Sequence, residues 1–437
     1  MSTPRAGTAT VKRPRRAVGT VVLIVFVDLV GFGIIIPILP YYVRSFGVSD
    51  VYIGLLAASY SLMQFVFAPL LGRLSDRHGR RPVIMLSLAG SAVAWAIFGL
   101  AGAVWLLFLS RMVAGAMGGN VAAAQAYIAD VTTEADRAGS LGLVGAAFGL
   151  GFVFGPALGG FFASDAVVAA ADSVLPEPIP ATRFSIPSFA AAGLSLLSFV
   201  LAATFLEEPD RTRPAEVRET LIGGFVSALG ERGLRGLVVA FFLLSLAFSG
   251  VQVMFIPFVA DVYGYDASQA ALLLTYAGVW GVFVQGVLVG RLTRRFPLPW
   301  VALAGGTCLA TGLLVLPFSP TIGGLLPLEP VSPLTPALVA LLLALPLLSL
   351  GNGLLSVGLA ALVSTTTSAD RQGRAFGITQ GAGSLGRTVG PPIMAALYAA
   401  AVYWSPFVFG AALLLPILAI LFAFAHDTAS RRPDRLE

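Results

Sequence analysis

Charged side chains are scarce in this chain, so each one that interrupts an apolar run is a candidate for chemistry. Asp28 stands alone in the run Phe26–Pro40, and Arg111 and Arg387 break other long apolar segments. A charge near the centre of a bilayer costs ~2.5–3.5 kcal/mol on insertion scales, so such a group must face a cavity or a partner. A carboxyl in that position can take up and release a proton. A guanidinium keeps its proton and instead biases a neighbouring carboxylate or holds an anionic group. Two readings of Asp28 fit: it couples protons or substrate to movement, or it bonds to backbone beside Gly31 and Gly33. Arg111 is either its electrostatic partner or a buried hydrogen-bonding hub, and Arg387, between Gly383, Gly386 and Gly390, is equally open. Gln64, Asn120, Gln125, Gln252 and Gln285 are spread one or two to a segment. That spread suits a wide pocket with few polar anchors, although each amide alone also suits contacts between helices.

Several chemistries are excluded. The sequence has no Ser/His/Asp set, and its single cysteine, Cys308, rules out an internal disulfide or a thiolate metal cluster. Gly149-Leu-Gly151 lies in an apolar segment with no strand before it, so it is not a dinucleotide loop. His78 and His426 sit at segment ends, away from any membrane relay. The chain is read as a non-enzyme that needs no cofactor and no metal.

The elements that carry these residues follow from composition. Of the 437 residues 57% are hydrophobic and 11% charged, against about 25% charged in an average soluble domain. Charge-free stretches such as Pro82–Ser110, Phe296–Leu328 and Thr388–Ala425 are each long enough for a span of ~20 residues. The apolar pattern predicts helices near Val18–Tyr41, Tyr52–Leu71, Pro82–Ala101, Val104–Ala129, Gly139–Ala163 and Ile186–Leu206. It predicts six more near Leu234–Val259, Ala267–Val289, Leu298–Phe318, Leu334–Ser364, Ala375–Tyr398 and Ser405–Ala425. The result is an all-α membrane protein of twelve transmembrane helices. Its N-tail is 1–17, a first six-helix bundle spans 18–206, a mixed-charge linker 207–233, a second bundle 234–425, and a C-tail 426–437. The basic N-tail before a long apolar run resembles a signal peptide, but the run has no small-residue cleavage site and is kept as a span.

With both termini cytoplasmic, 23 of the 27 basic residues fall inside, while Asp50, Asp165, Asp172, Glu177, Asp261, Asp266 and Glu329 fall outside. Lys and Arg accumulate on the cytoplasmic side of membrane proteins, so this is the expected orientation, in a plasma or inner membrane. The net charge of +5 therefore reports topology, and no nucleic-acid partner is expected.

The second half repeats the first in parallel. Gly72-Arg-Leu-Ser-Asp-Arg returns as Gly290-Arg-Leu-Thr-Arg-Arg, and Thr132–Gly139 returns as Thr366–Gly373. Each of the latter precedes a Gly-Pro pair, at Gly155-Pro156 and Gly390-Pro391. Parallel repeats related about the membrane normal place a substrate site between two pseudo-symmetric bundles near the midplane.

Two motifs carry a resemblance. The loop from Gly72 to Pro82 sets Asp76 among arginines, with Gly79 near its end. It resembles the signature between helices two and three of the major facilitator superfamily at Gly72, Leu74, Asp76, Arg77, Gly79, Arg80 and Arg81. The run Gly151, Gly155, Pro156, Gly159 and Gly160 spaces small residues for close helix contact and resembles that superfamily's antiporter motif. From Asp28 to Gly160 the chain is similar to the tetracycline/proton antiporters and their relatives in the twelve-helix drug-efflux branch. Leu62-Met-Gln-Phe65 and Ala126-Tyr-Ile-Ala-Asp130 are further shared segments.

The resemblance implies the major facilitator fold. It further implies that Asp76 lies near the start of the eleventh helix and that Arg80 pairs with Asp130 in a cytoplasmic gate. In the second copy of the loop Arg294 replaces the aspartate, so no equivalent gate is expected there. The reading is a monomeric, proton-coupled exporter of small, largely apolar compounds. The alternatives are a proton symporter importing a sugar or organic acid, and a non-transporting receptor on a transporter scaffold.

Overall fold

The computed structural model describes residues 14–176, 178–209, 232–327, 334–367 and 372–430. Both tails beyond those limits, most of the linker 207–233, Glu177, and the middle of the Thr366–Gly373 repeat lie outside the described residues.

Twelve helices of membrane-spanning length appear among the described residues. Eleven are apolar enough to qualify by composition: α1 Pro14–Ser45, α2 Val51–His78, α3 Arg80–Gly99, α4 Val104–Val131, α5 Ala135–Phe162, α6 Ser185–Phe205, α7 Leu234–Tyr263, α8 Ala267–Arg295, α9 Leu298–Leu325, α10 Pro336–Thr366 and α12 Ser405–His426. The twelfth, α11 Gln372–Ala400, has the same length but is diluted by glycines and Arg387.

Several helices outrun their apolar stretches. α2 continues through the charged segment to His78, where the sequence suggested an end at Leu71. Once outside hydrocarbon, Arg and Asp tolerate helix as well as most residues, so hydropathy marks where the membrane stops and not where the helix does. The segment between α5 and α6, expected as a loop, contains a short helix at Asp165–Asp172. Asp165 in its first turn complements the helix dipole, and the alanine-rich run propagates it.

Some spans are deliberately interrupted. α1 breaks at 36–38, around Pro37, and α4 at Gly118-Gly119. α8 passes through a π-helical stretch at Val284–Leu288, which contains Gln285. Proline removes a backbone donor and glycine weakens helix, so these breaks are local sequence effects.

The chain forms two compact units. One comprises Met1–Gly47, Ser59–Val217 and Tyr265–Thr275; the other comprises Val48–Ala58, Arg218–Gly264 and Tyr276–Glu437. The first turns of α2 and α8 are therefore exchanged relative to a simple cut at the linker. In the first unit, the core beneath the Gly72–Pro82 segment is filled by Ile84 and Leu88 of α3 and by Tyr127 and Ile128 of α4, all essentially fully buried. That cluster fixes the ends of α3 and α4 that carry the charged residues described next.

Candidate coupling site and ionic latch

Asp28 lies inside the first unit, facing α4 and α6. Asn120 Nδ2 donates to its Oδ2 at 2.5 Å, and Ser195 Oγ donates to its Oδ1 at 3.4 Å. Asn120 reaches the carboxylate because the Gly118-Gly119 break restarts α4 just ahead of it, and its Oδ1 accepts from the Val121 amide at 2.8 Å. Beside Asp28 is a cavity of about 30 Å³, lined by Phe32, Tyr60, Ser91, Trp95 and Asn120 among others. A volume of ~10–15 Å³ admits one water, so this space can hold a water against the carboxylate.

Arg111 is 5% exposed. Its guanidinium lies 4.4 Å from the Trp95 ring centre, 5.3 Å from Phe98 and 5.7 Å from Tyr60. Its Nε and one Nη nitrogen have no hydrogen-bond partner. The cation is thus held by ring faces, whose quadrupoles attract it by ~2 kcal/mol or more when water is excluded. The electrostatic partnership with Asp28 anticipated from the sequence is not made as an ion pair; amide and hydroxyl groups contact Asp28 instead. Gln64 sits beside this group, its Nε2 donating weakly to Tyr60 Oη at 3.4 Å and to the Gly118 carbonyl at 3.5 Å.

The Gly72–Pro82 loop is organised by Arg80. Its Nη1 donates to Asp76 Oδ1 at 2.7 Å, and its Nε to Asp130 Oδ2 at 2.9 Å. Ser75 Oγ also accepts from Nη1, at 3.1 Å. One guanidinium therefore bridges the end of α2 to the end of α4. Gly79 makes the turn into α3 with φ +111°, a region that side-chain-bearing residues rarely adopt. Arg81 Nη2 donates to the Ala203 carbonyl of α6 at 2.6 Å. Arg77 is exposed, and Gly72 meets no neighbour that a side chain would strike.

The glycine run of α5 is a packing surface for α1. Gly155 lies against Gly33, Gly151 against Leu29, and Gly159 against Ile34. A Cβ on Gly33 would come within 2.9 Å of the Gly151 oxygen and of Gly155 Cα, so the backbones touch with no room for side chains. Pro156 lies on the same face. Gly160 meets Ala271 and Ser268, and Ser268 Oγ donates to its carbonyl at 3.0 Å. Asp28 immediately precedes Leu29, so this contact sets the depth and rotation of the α1 turn that presents the carboxylate.

The model of the Major Facilitator Superfamily matches residues 21–328. The chain belongs to that superfamily. It is 33% identical to the class C tetracycline resistance protein of Escherichia coli over 421 residues, covering 94% of this chain and 97% of that relative. The class G tetracycline resistance protein of Vibrio anguillarum is 32% identical over 410 residues, covering 91% and 95%. Among solved structures, a bacterial homologue of the human lysosomal transporter Spinster, in an inward-facing and occupied conformation, superposes with a TM-score of 0.73 at 16% identity, covering 95% of this chain and 98% of that one. A human organic anion transporter gives a TM-score of 0.65 at 23% identity, covering 94% and 100%. Family and relatives make this protein a multi-pass membrane transporter and not an enzyme.

Within that superfamily fold, other polar residues singled out in the sequence stand apart from the Asp28 group. Gln125 on α4, Gln252 on α7 and Gln285 on α8 are all exposed on their helices. Arg387 on α11 is also exposed and donates to Ser384 Oγ at 2.9 Å. Sequence reasoning missed Ser195, the Trp95–Phe98–Tyr60 ring cage, and Glu208 of the linker. The cage left one legible trace, since Ser91, Trp95 and Phe98 recur at helical spacing on a single face of α3.

Proposed function

We propose that this transporter exports small, largely apolar compounds of the tetracycline type in exchange for protons, by alternating access between the two sides of the membrane. The observation that carries the reading is the carboxyl group of Asp28, lodged in a spanning helix beside a cavity and held by neutral donors. A proton arriving there removes a charge that costs several kcal/mol to keep in the membrane, and a departing proton restores it. Alternation between these states is what couples proton entry to a change of conformation. One proton moving down a membrane potential supplies ~2.3 kcal/mol per 100 mV, enough for more than tenfold accumulation against a gradient.

The relatives support the substrate class, being tetracycline resistance proteins over nearly their whole length. The basic segments support cytoplasmic termini. Self-sufficiency as a monomer is supported by the coupling group and the latch both lying within one chain.

The test is proton movement in acid-loaded proteoliposomes on addition of tetracycline and a panel of lipophilic dyes. Wild type should release protons on addition of at least one compound, and Asp28→Asn, folded to the same degree, should not. If no compound moves protons while organic acids or sugars do, the protein is an importer. Ligand binding with no proton or substrate flux would indicate a receptor.

A further inference from the structure

Glu208, just beyond α6, makes the most specific contact in the first unit that the coupling scheme leaves unused. Its Oε1 accepts from the Arg80 amide and its Oε2 from the Arg81 amide, both at 2.7 Å. The carboxylate covers the face of Gly79 so closely that a Cβ there would fall 2.6 Å from Oε1. Gly79 is therefore required twice, once for its positive φ and once to admit this group. The preceding residue is tied down as well, because Tyr127 Oη of α4 donates to the Glu207 carbonyl at 2.8 Å. Tyr127 lies one turn before Asp130, and the amide that Glu208 holds belongs to the residue whose side chain reaches Asp130. The Glu207-Glu208 pair thus brackets the Asp76–Arg80–Asp130 bridge from α3, α4 and α6 at once.

We propose that Glu208 is a positioning residue of the cytoplasmic latch: it clamps the start of α3 so that the Arg80 guanidinium is presented to Asp76 and Asp130 in the geometry that re-forms on every transport cycle. Two charge-assisted bonds to consecutive amides at a helix N-terminus fix both position and direction, since the carboxylate also complements the positive end of the α3 dipole. Without them the helix end frays, and Arg80 finds its partners more slowly. The loss falls on the rate of conformational change and not on substrate binding.

The experiment compares wild type with Glu208→Gln, Glu208→Asp and Glu208→Ala in proteoliposomes, with tetracycline as the probe and turnover expressed per folded protein. Glu208→Gln keeps one acceptor and should lower turnover by roughly three- to tenfold with KM unchanged within about twofold; Glu208→Ala should lower it further, and Glu208→Asp should recover part of it. In an Arg80→Lys background, Glu208→Gln should have less than about a twofold effect, because residues that act through one another are not additive. Hydrogen exchange of the 79–85 amides, which needs no substrate, should accelerate in Glu208→Gln. Unchanged exchange overturns the proposal, as does an equal loss of turnover in both backgrounds or a rise in KM with turnover intact. If wild type does not move tetracycline, it is the efflux assignment that fails, and the exchange measurement alone decides the role of Glu208.

Discussion

The two copies of the Gly-Arg-Leu loop start alike and finish differently. In the first, Asp76 and Asp130 share Arg80, Gly79 turns the chain at φ +111°, and Glu208 caps the following helix. In the second, Arg294 stands where the aspartate was and donates to the Gly290 carbonyl of its own helix at 3.1 Å. Arg295 lies 5.9 Å from the Phe296 ring, and the turn into α9 is made by Pro297. The same helix-to-helix connection therefore needs neither the acid nor the glycine. Both copies keep the helix-to-helix connection, and the ionic bridge is found in the first alone among the described residues. A like contrast separates the long helices. Both α1/α5 and α7/α11 pack closely through glycine, with Gly386 on the Phe242 carbonyl and Gly390 on the Ser249 side chain in the second unit. Of these four helices, α1 alone carries a carboxylate well inside its span; Asp136 of α5 and Asp261 of α7 stand near the helix ends.

The contrast can be broken most forcefully at Asp130. Asp130→Ala leaves Arg80 bonded only within the end of α2, to Asp76 and Ser75, and turnover should fall by about tenfold; the pair is partly solvated, so less is lost than for a fully buried bridge. A smaller effect is expected from Gly79→Ala, which forces a side chain into the left-handed turn and against Glu208. About 1–2 kcal/mol of thermal stability should be lost, visible as a lower unfolding temperature of the purified protein. The least is expected of Arg294→Ala in the second copy, with transport within about twofold of wild type, because an exposed arginine bonded to its own helix contributes little. Should Arg294→Ala cost as much as Asp130→Ala, the two copies are functionally equivalent and the distinction drawn between them is wrong.

The legible parts of the molecule were those where a residue type violates its surroundings. Asp28 and Arg111 stand out because charge is costly in an apolar run, and the twelve helices because polar breaks are as regular as the bilayer is thick. Arg80 and Asp130 were paired correctly through a recognisable loop. Glu208 was invisible because it contacts an amide 128 positions away and is one of several acids in a charged linker. Ser195, 167 positions from Asp28, is an ordinary serine in an apolar helix until the fold turns it inward. Arg111 was located in sequence but not its environment, since aromatic residues are common in membrane helices and only packing shows which three surround a cation. Helix ends were misjudged at α2 for a related reason, as backbone hydrogen bonding continues beyond the hydrocarbon that hydropathy detects.

The tie between Glu208 and the start of α3 also says where this chain can be divided. A linker between repeated bundles is the natural place to split the gene into two co-expressed pieces, or to insert a reporter domain. Because Glu207 and Glu208 belong structurally to the first bundle, a break made directly after α6 would carry its keystone away on the wrong fragment. A break placed beyond Pro209 leaves that fragment whole.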